Sequence, residues 1–182
     1  MEETKRKQDR LKQTSPKFTS SREFSAGGVV YKKTDKDIVL WLVTKSSPSK
    51  LYPHEIWRLP KGWIDDEGGG KKPGPAARGE RKVNEGELQS VALREVKEEA
   101  GVEARIVAKI GTETRFFTSN GQRVMKFVTF YLMEWLRDLP EGPGFETSEV
   151  AWLSYEIARK RLSYSSEKKT LDKARQILEA GV

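Results

Sequence analysis

The sequence predicts an α/β domain, and three observations point to it. Strand-like segments precede and follow one strongly helical stretch, one of the later strands is apolar on both faces, and two further helical patterns close the chain. With 182 residues the chain has the size of one domain and can bury a core without staples. It has no cysteine, which excludes disulfides and thiolate metal sites but leaves oxygen-ligated metals open.

Residues 1–23 hold seven Lys or Arg against four acids and few apolar side chains, a composition that reads as a flexible basic arm. Phe24–Lys32 and Asp37–Thr44 are rich in Val, Leu and Trp around the polar turn Lys33–Lys36, and read as two strands. A loop with Pro48, Pro53 and the sole histidine, His54, leads to I-W-R-L-P-K-G-W at 56–63. His54 reads as a bystander there. Residues 65–86 carry three consecutive glycines and two prolines without hydrophobic period, the pattern of a long loop. Its Lys71, Lys72, Arg78, Arg81 and Lys82 suggest contact with phosphates.

From Glu87 to Ala100 the apolar residues Leu88, Val91, Ala92 and Val96 recur at helical spacing, and Gly101 marks the stop. Ala104–Phe117 and Arg123–Trp135 read as strands joined at Ser119-Asn120-Gly121. The second is apolar on both faces, as in a strand buried on two sides. A short strand at Val150–Leu153 and helices at Tyr155–Leu162 and Ser166–Ala180 complete the chain. The formal net charge of +7 favours phosphate-bearing partners without choosing among them. No apolar run approaches membrane-spanning length and the N-terminus lacks a signal-peptide pattern, so the expectation is a cytoplasmic protein without membrane contact. Oligomeric state leaves no trace in the sequence.

The informative run is R-E-V-K-E-E-A-G-V at 94–102. On a helix Glu95, Glu98 and Glu99 stand at i, i+3 and i+4, so like charges crowd one face and repel. A hard divalent cation would convert that repulsion into a binding site, whereas three glutamates alone would read as a solvated acidic face.

In its surroundings the run resembles the second half of the Nudix box, G-x5-E-x7-R-E-U-x-E-E-x-G-U with U a bulky apolar residue. Arg94, Glu95, Val96, Glu98, Glu99, Gly101 and Val102 fill every position of that half, and Gly62 resembles the opening glycine. The pattern puts Arg fourteen positions after the glycine, and here the two are thirty-two apart. The intervening loop thus carries an insertion of about eighteen residues, variation that a surface loop can host. The middle glutamate falls at Gly86, flanked by Glu85 and Glu87, of which Glu87 suits the usual Gly-Glu order. S-A-G-G-V-V at 25–30 is similar to an opening Nudix strand. W-R-L-P-K-G at 57–62 resembles members acting on diadenosine polyphosphates, R-V-M-K-F-V-T-F-Y-L-M at 123–133 resembles the same group and its relatives that sanitise oxidised nucleotides, and E-T-S-E-V-A-W-L-S at 146–154 resembles the segment carrying a catalytic glutamate outside the box.

The resemblance implies an α/β/α sandwich with a mixed β-sheet over residues 24–182. It implies a hydrolase that uses Mg²⁺ or Mn²⁺ to cleave a phosphoanhydride bond, with Glu95, Glu98, Glu99 and the backbone carbonyl of Lys61 or Gly62 as metal ligands. Arg94 would hold a glutamate in place. The candidates for general base are Glu98, Glu99, Glu146 and Glu149, and counting back from Trp152 favours Glu146. Lys61 and Lys126 are expected on phosphate, Trp63 and Tyr131 as stacking surfaces, and Tyr164 and Lys168 as weaker phosphate contacts. Two substrate classes lead: a dinucleoside polyphosphate first, an oxidised or ordinary nucleoside triphosphate second. An RNA 5′ end ranks third, because no aromatic-interleaved RNA platform is visible. A nucleotide-sensing module without turnover is the reading from another class, and the intact glutamates argue against it.

Overall fold

The computed structural model describes residues 20–48, 54–119 and 121–181. Most of the expected arm, residues 1–19, lies outside them. Ser20–Glu23, also assigned to the arm, instead open the first strand.

Strand β1 (Ser20–Lys33) organises a seven-stranded mixed sheet. It runs parallel to β8 (Gln122–Asp138) from Ser20↔Arg123 to Tyr31↔Glu134. Its other edge is shared: β4 (Lys61–Trp63) pairs antiparallel with Ser25–Gly27, and β2 (Val39–Ser46) with Tyr31–Lys33. Beyond these, β3 (Trp57–Arg58) and β9 (Thr147–Leu153) both pair with β2, and β7 (Val102–Ser119) pairs with β8 through three irregularities.

Alternation along the strands sorts the core into two layers. Ala26, Val30, Leu42, Tyr131 and Met133 pack under α1 (Glu85–Ala100) against Ala92 and Val96. Val29, Tyr31, Trp41, Val43, Val128, Phe130 and Leu132 face the opposite way, onto Ala158 and Leu162 of the α2 (Tyr155–Arg161) region and Leu171 and Ala174 of α3 (Ser165–Glu179). A two-sided strand is the physical reason β8 is apolar at successive positions. The architecture is the expected mixed-sheet sandwich.

Helix α1 starts two residues earlier than its apolar period indicates, because Asn84 and Glu87 form a capping box. The Asn84 side chain accepts the Glu87 N–H at 2.9 Å, and the Glu87 carboxylate accepts the Asn84 N–H at 3.0 Å. The glycine-rich insertion is more ordered than an open loop. Asp66–Glu67 (β5) and Lys72–Pro73 (β6) form a small hairpin, and the Asp65 carboxylate accepts the N–H groups of Ala76 and Ala77. Both alanines are buried, and the Ala77 carbonyl accepts the N–H of Phe24 at 2.7 Å. The insertion is therefore partly core.

Gly101 closes α1 in the left-handed region, at φ 65°, with its N–H on the Lys97 carbonyl. A Cβ there would stand 2.4 Å from the Gly142 carbonyl carbon and 2.5 Å from Pro143 N, so both strain and collision oppose a side chain. Gly101→Ala is expected to cost about 2 kcal/mol or more and to lower the melting temperature by several degrees. Equilibrium urea unfolding measures the loss, and an unchanged midpoint would show that the 140–143 loop yields freely.

Candidate active site

The site is built where α1 meets β3 and β4. Gly62 sits under Glu95: an added Cβ would fall 2.1 Å from its Oε2, so only glycine lets the carboxylate lie on the strand backbone. Glu99, 5 % exposed, accepts the Arg58 guanidinium at 2.6 Å and the Lys61 N–H at 2.9 Å. Arg94 bonds the Glu95 carboxylate at 2.8 Å, the Trp63 carbonyl at 3.1 Å and Glu98 at 3.4 Å. It thus contacts both glutamates and fastens the helix to β4.

Burial pushes the Glu95 carboxyl up from 4.5 to about 7; Arg94 opposes the shift, while Glu99, Glu98 and Glu146 add to it. Burial likewise raises Glu99, against Arg58 and Lys61, and Glu146 again adds to the rise. Glu146, exposed in the loop before β9, thus lies within electrostatic reach of both. Glu149 lies on β9 opposite Lys45, at 3.8 Å from its ammonium, and so belongs to a separate surface pair.

A hard divalent cation fits the chemistry of this acidic patch: the donors are oxygens, and neighbouring negative charges add to the burial that raises Glu95. Among the described residues, however, no three acidic or histidine side chains converge tightly enough to hold an ion. Glu99 is engaged by Arg58 and Lys61, and Glu98 is solvent-facing, bonded only weakly to Arg94. Of the two candidates for the middle glutamate, Glu87 is committed to the capping box and to Arg81 at 2.6 Å. Glu85 takes the Tyr131 hydroxyl at 2.8 Å and Lys109 at 2.6 Å.

Cations gather next to the acids. Lys126 is pushed down to about 8, by burial first and then by Lys61, Arg115 and Arg58; its nearest counter-charge, Glu23, is 3.7 Å away. The Lys126 ammonium lies 5.6 Å from the Trp63 ring centroid, and Trp63 Nε1 donates to Glu23 at 3.0 Å. A half-buried ammonium with one distant carboxylate partner suits a further anionic ligand. Lys61 departs from expectation. Its ammonium is buried at 2.7 Å from Glu167, so its charge already has a partner.

That pair belongs to a network absent from the sequence reading. Fully buried Glu167 also accepts the Leu59 N–H at 2.9 Å and Arg115 at 2.8 Å, and Arg115 bonds Glu113 as well. Burial alone would raise Glu167, but Lys61 and Arg115 hold it below its usual range. Tyr164 faces the Arg115 guanidinium at 4.7 Å, and Lys168, one residue after Glu167, is half-buried. Tyr131 corrects another expectation. At 0 % exposure in the layer beneath α1 it cannot stack on a ligand, and its role is to anchor Glu85. His54 is exposed. In the insertion, Arg78 is tied to Glu67 and Glu80 and Arg81 to Glu87, so neither presents a free charge.

Residues 21–174 match the NUDIX domain model, and the chain belongs to that family. It is 28 % identical over 175 residues to a Mycobacterium tuberculosis protein that carries the name MutT4, spanning 93 % of this chain but 63 % of that protein. Among solved structures, a C. elegans Ap4A hydrolase binary complex superposes with a TM-score of 0.59 and 21 % identity, over 87 % of this chain and 98 % of the other. The NUDIX domain of Shewanella oneidensis NrtR, complexed with ADP ribose, gives 0.56 and 16 %, over 94 % and 97 %. These structural likenesses establish a shared fold.

Glu95 makes a pH prediction. A carboxyl raised on folding binds its proton more tightly in the native state, so its contribution to stability is present below the unfolded value of about 4.5 and is lost as pH rises through about 7. In chelator-treated protein this loss amounts to about 3 kcal/mol, and Glu95→Gln should remove it. Urea titrations at pH 5 and pH 8 provide the check; identical pH slopes for the two proteins would refute the assignment.

Proposed function

We propose that the chain is a metal-dependent hydrolase that cleaves a phosphoanhydride bond of a dinucleoside polyphosphate. One observation carries this reading: the carboxylates Glu95, Glu98, Glu99 and Glu146 lie beside the cations Arg58, Lys61, Arg115 and Lys126, and Arg58 and Lys61 belong to both groups through Glu99. A site of this kind accepts a cation on one side and a phosphate chain on the other. Glu95, Glu98 and Glu99, with the Gly62 carbonyl, would hold Mg²⁺ or Mn²⁺. When bound, the ion lowers the pKa of water and screens charge on the bridging oxygens.

The chain's own groups divide the remaining work. Lys126 receives a phosphate oxygen, Trp63 walls the same cleft, and Lys61 fixes Glu99 through its backbone N–H while its ammonium steadies α3. Arg94 sets the angle of Glu95. Glu146, exposed and close enough to raise Glu95 and Glu99, is positioned to take a proton from the attacking water.

For the substrate, the W-R-L-P-K-G and 123–133 motifs favour a nucleoside at each end of the chain. The second reading, a nucleoside triphosphate, rests on the same motifs, which serve both substrate classes. The retained glutamates weigh against a purely sensing module, and a cytoplasmic setting suits either substrate.

Glu98→Gln should lower kcat by at least about a hundredfold while leaving thermal unfolding near wild type, since it removes charge and little volume. Activity within a few-fold of wild type would remove Glu98 from the site. Diadenosine tetraphosphate should yield ATP and AMP, resolved by ion-exchange chromatography. Two ADP would overturn attack away from the chain's centre, and a higher kcat/KM on a triphosphate would promote the second reading.

A further inference from the structure

Phe145 is 91 % exposed, the most exposed large apolar side chain among the described residues, yet its backbone is closely held. Thr147 donates to the Gly144 carbonyl at 3.0 Å, closing a turn with Phe145 and Glu146 at its two central positions. Gly144 donates to the backbone carbonyl of Glu98 at 2.7 Å, which pins the turn to α1 at the acidic patch. From the other side Ser47, just past β2, donates its N–H to the Glu146 carbonyl at 2.8 Å and its hydroxyl to the Phe145 carbonyl at 2.9 Å. The ring is thus displayed from a fixed platform.

A phenyl ring left in water has a large apolar area to gain from a partner, and a rigid backbone lowers the entropy lost when one arrives. Phe145 and Glu146 thus occupy adjacent positions of one turn whose backbone is held against α1 at Glu98. A flat heteroaromatic group is a partner of matching shape for a ring displayed beside that acidic patch.

We propose that Phe145 is the stacking surface for a nucleobase of the substrate, and so a specificity-determining residue beside the reacting phosphates. This rests on the nucleotide-hydrolase reading above. Glu146 and Phe145 divide the turn between them: one faces the water, the other orients the nucleoside. Because stacking has no hydrogen-bond readout, this contact favours a base over no base and discriminates weakly among bases.

Three measurements on Phe145→Ala, Phe145→Trp and wild type test the proposal. Phe145→Ala should raise KM for diadenosine tetraphosphate about tenfold or more, with kcat within about twofold, and Phe145→Trp should restore it. Competitive inhibition by inorganic tripolyphosphate, which has no base, should be unchanged in Phe145→Ala. A wild-type KM in Phe145→Ala overturns the proposal while leaving the hydrolase reading intact. Equal loss of tripolyphosphate binding also overturns it, since the ring would then only support the loop. Failure of wild type to turn over any nucleotide removes the hydrolase reading and this inference together.

Discussion

The buried carboxylate of Glu99 is the contact on which the site depends. It joins helix α1 to residues 58–61 through one guanidinium and one backbone N–H. A carboxylate taken out of water costs several kcal/mol unless its oxygens are satisfied, so Arg58 and Lys61 must stay where they are. With that segment fixed, Gly62 comes under Glu95, Arg94 reaches the Trp63 carbonyl, and the Lys61 ammonium turns to the opposite face of the sheet. The protein still holds Glu95 and Glu99 above their usual carboxylate range. The acidic patch therefore retains electrostatic tension that the fold leaves unrelieved, and a bound cation would lower it.

On the far side, the partly buried Lys61–Glu167–Arg115–Glu113 chain couples the same segment to α3. Networks of this kind contribute little net stability against an apolar alternative, but breaking one partner strands another charge. Their value is geometric. The Leu59 N–H and the Lys61 ammonium both end on Glu167, so the helix sets the height of the strand that carries Gly62.

Local patterns were readable and distant pairings were not. The α1 glutamates, the stop at Gly101 and the two-sided β8 followed from spacing alone, because neighbours on one helix or strand determine them. Lys61 follows from its place in the motif and Tyr131 from its residue type, and their partners, Glu167 and Glu85, lie 106 and 46 positions away. A usable signal did exist for Glu167: with Thr170, Leu171 and Ala174 it shares the helical spacing of a buried face, where an acid demands a cation. The cap at Asn84 was legible too, as Asn followed three residues later by Glu, and it explains why α1 begins inside the supposed loop. The packing of the insertion against Phe24 rests on backbone hydrogen bonds, which side-chain chemistry does not announce.

The long parallel pairing of β1 with β8 bears on how the chain is made. Positions 20–31 find their partners at 123–134, so most of the protein must be synthesised before the central ladder can close. Until then β1 can engage only its near neighbours, β2 and β4, and one edge of an apolar strand stays open. Contacts this far apart in sequence slow the search for the native state and expose the waiting edge to other chains. The β7–β8 hairpin, local and long, is the element whose arrival ends that exposure on the ribosome.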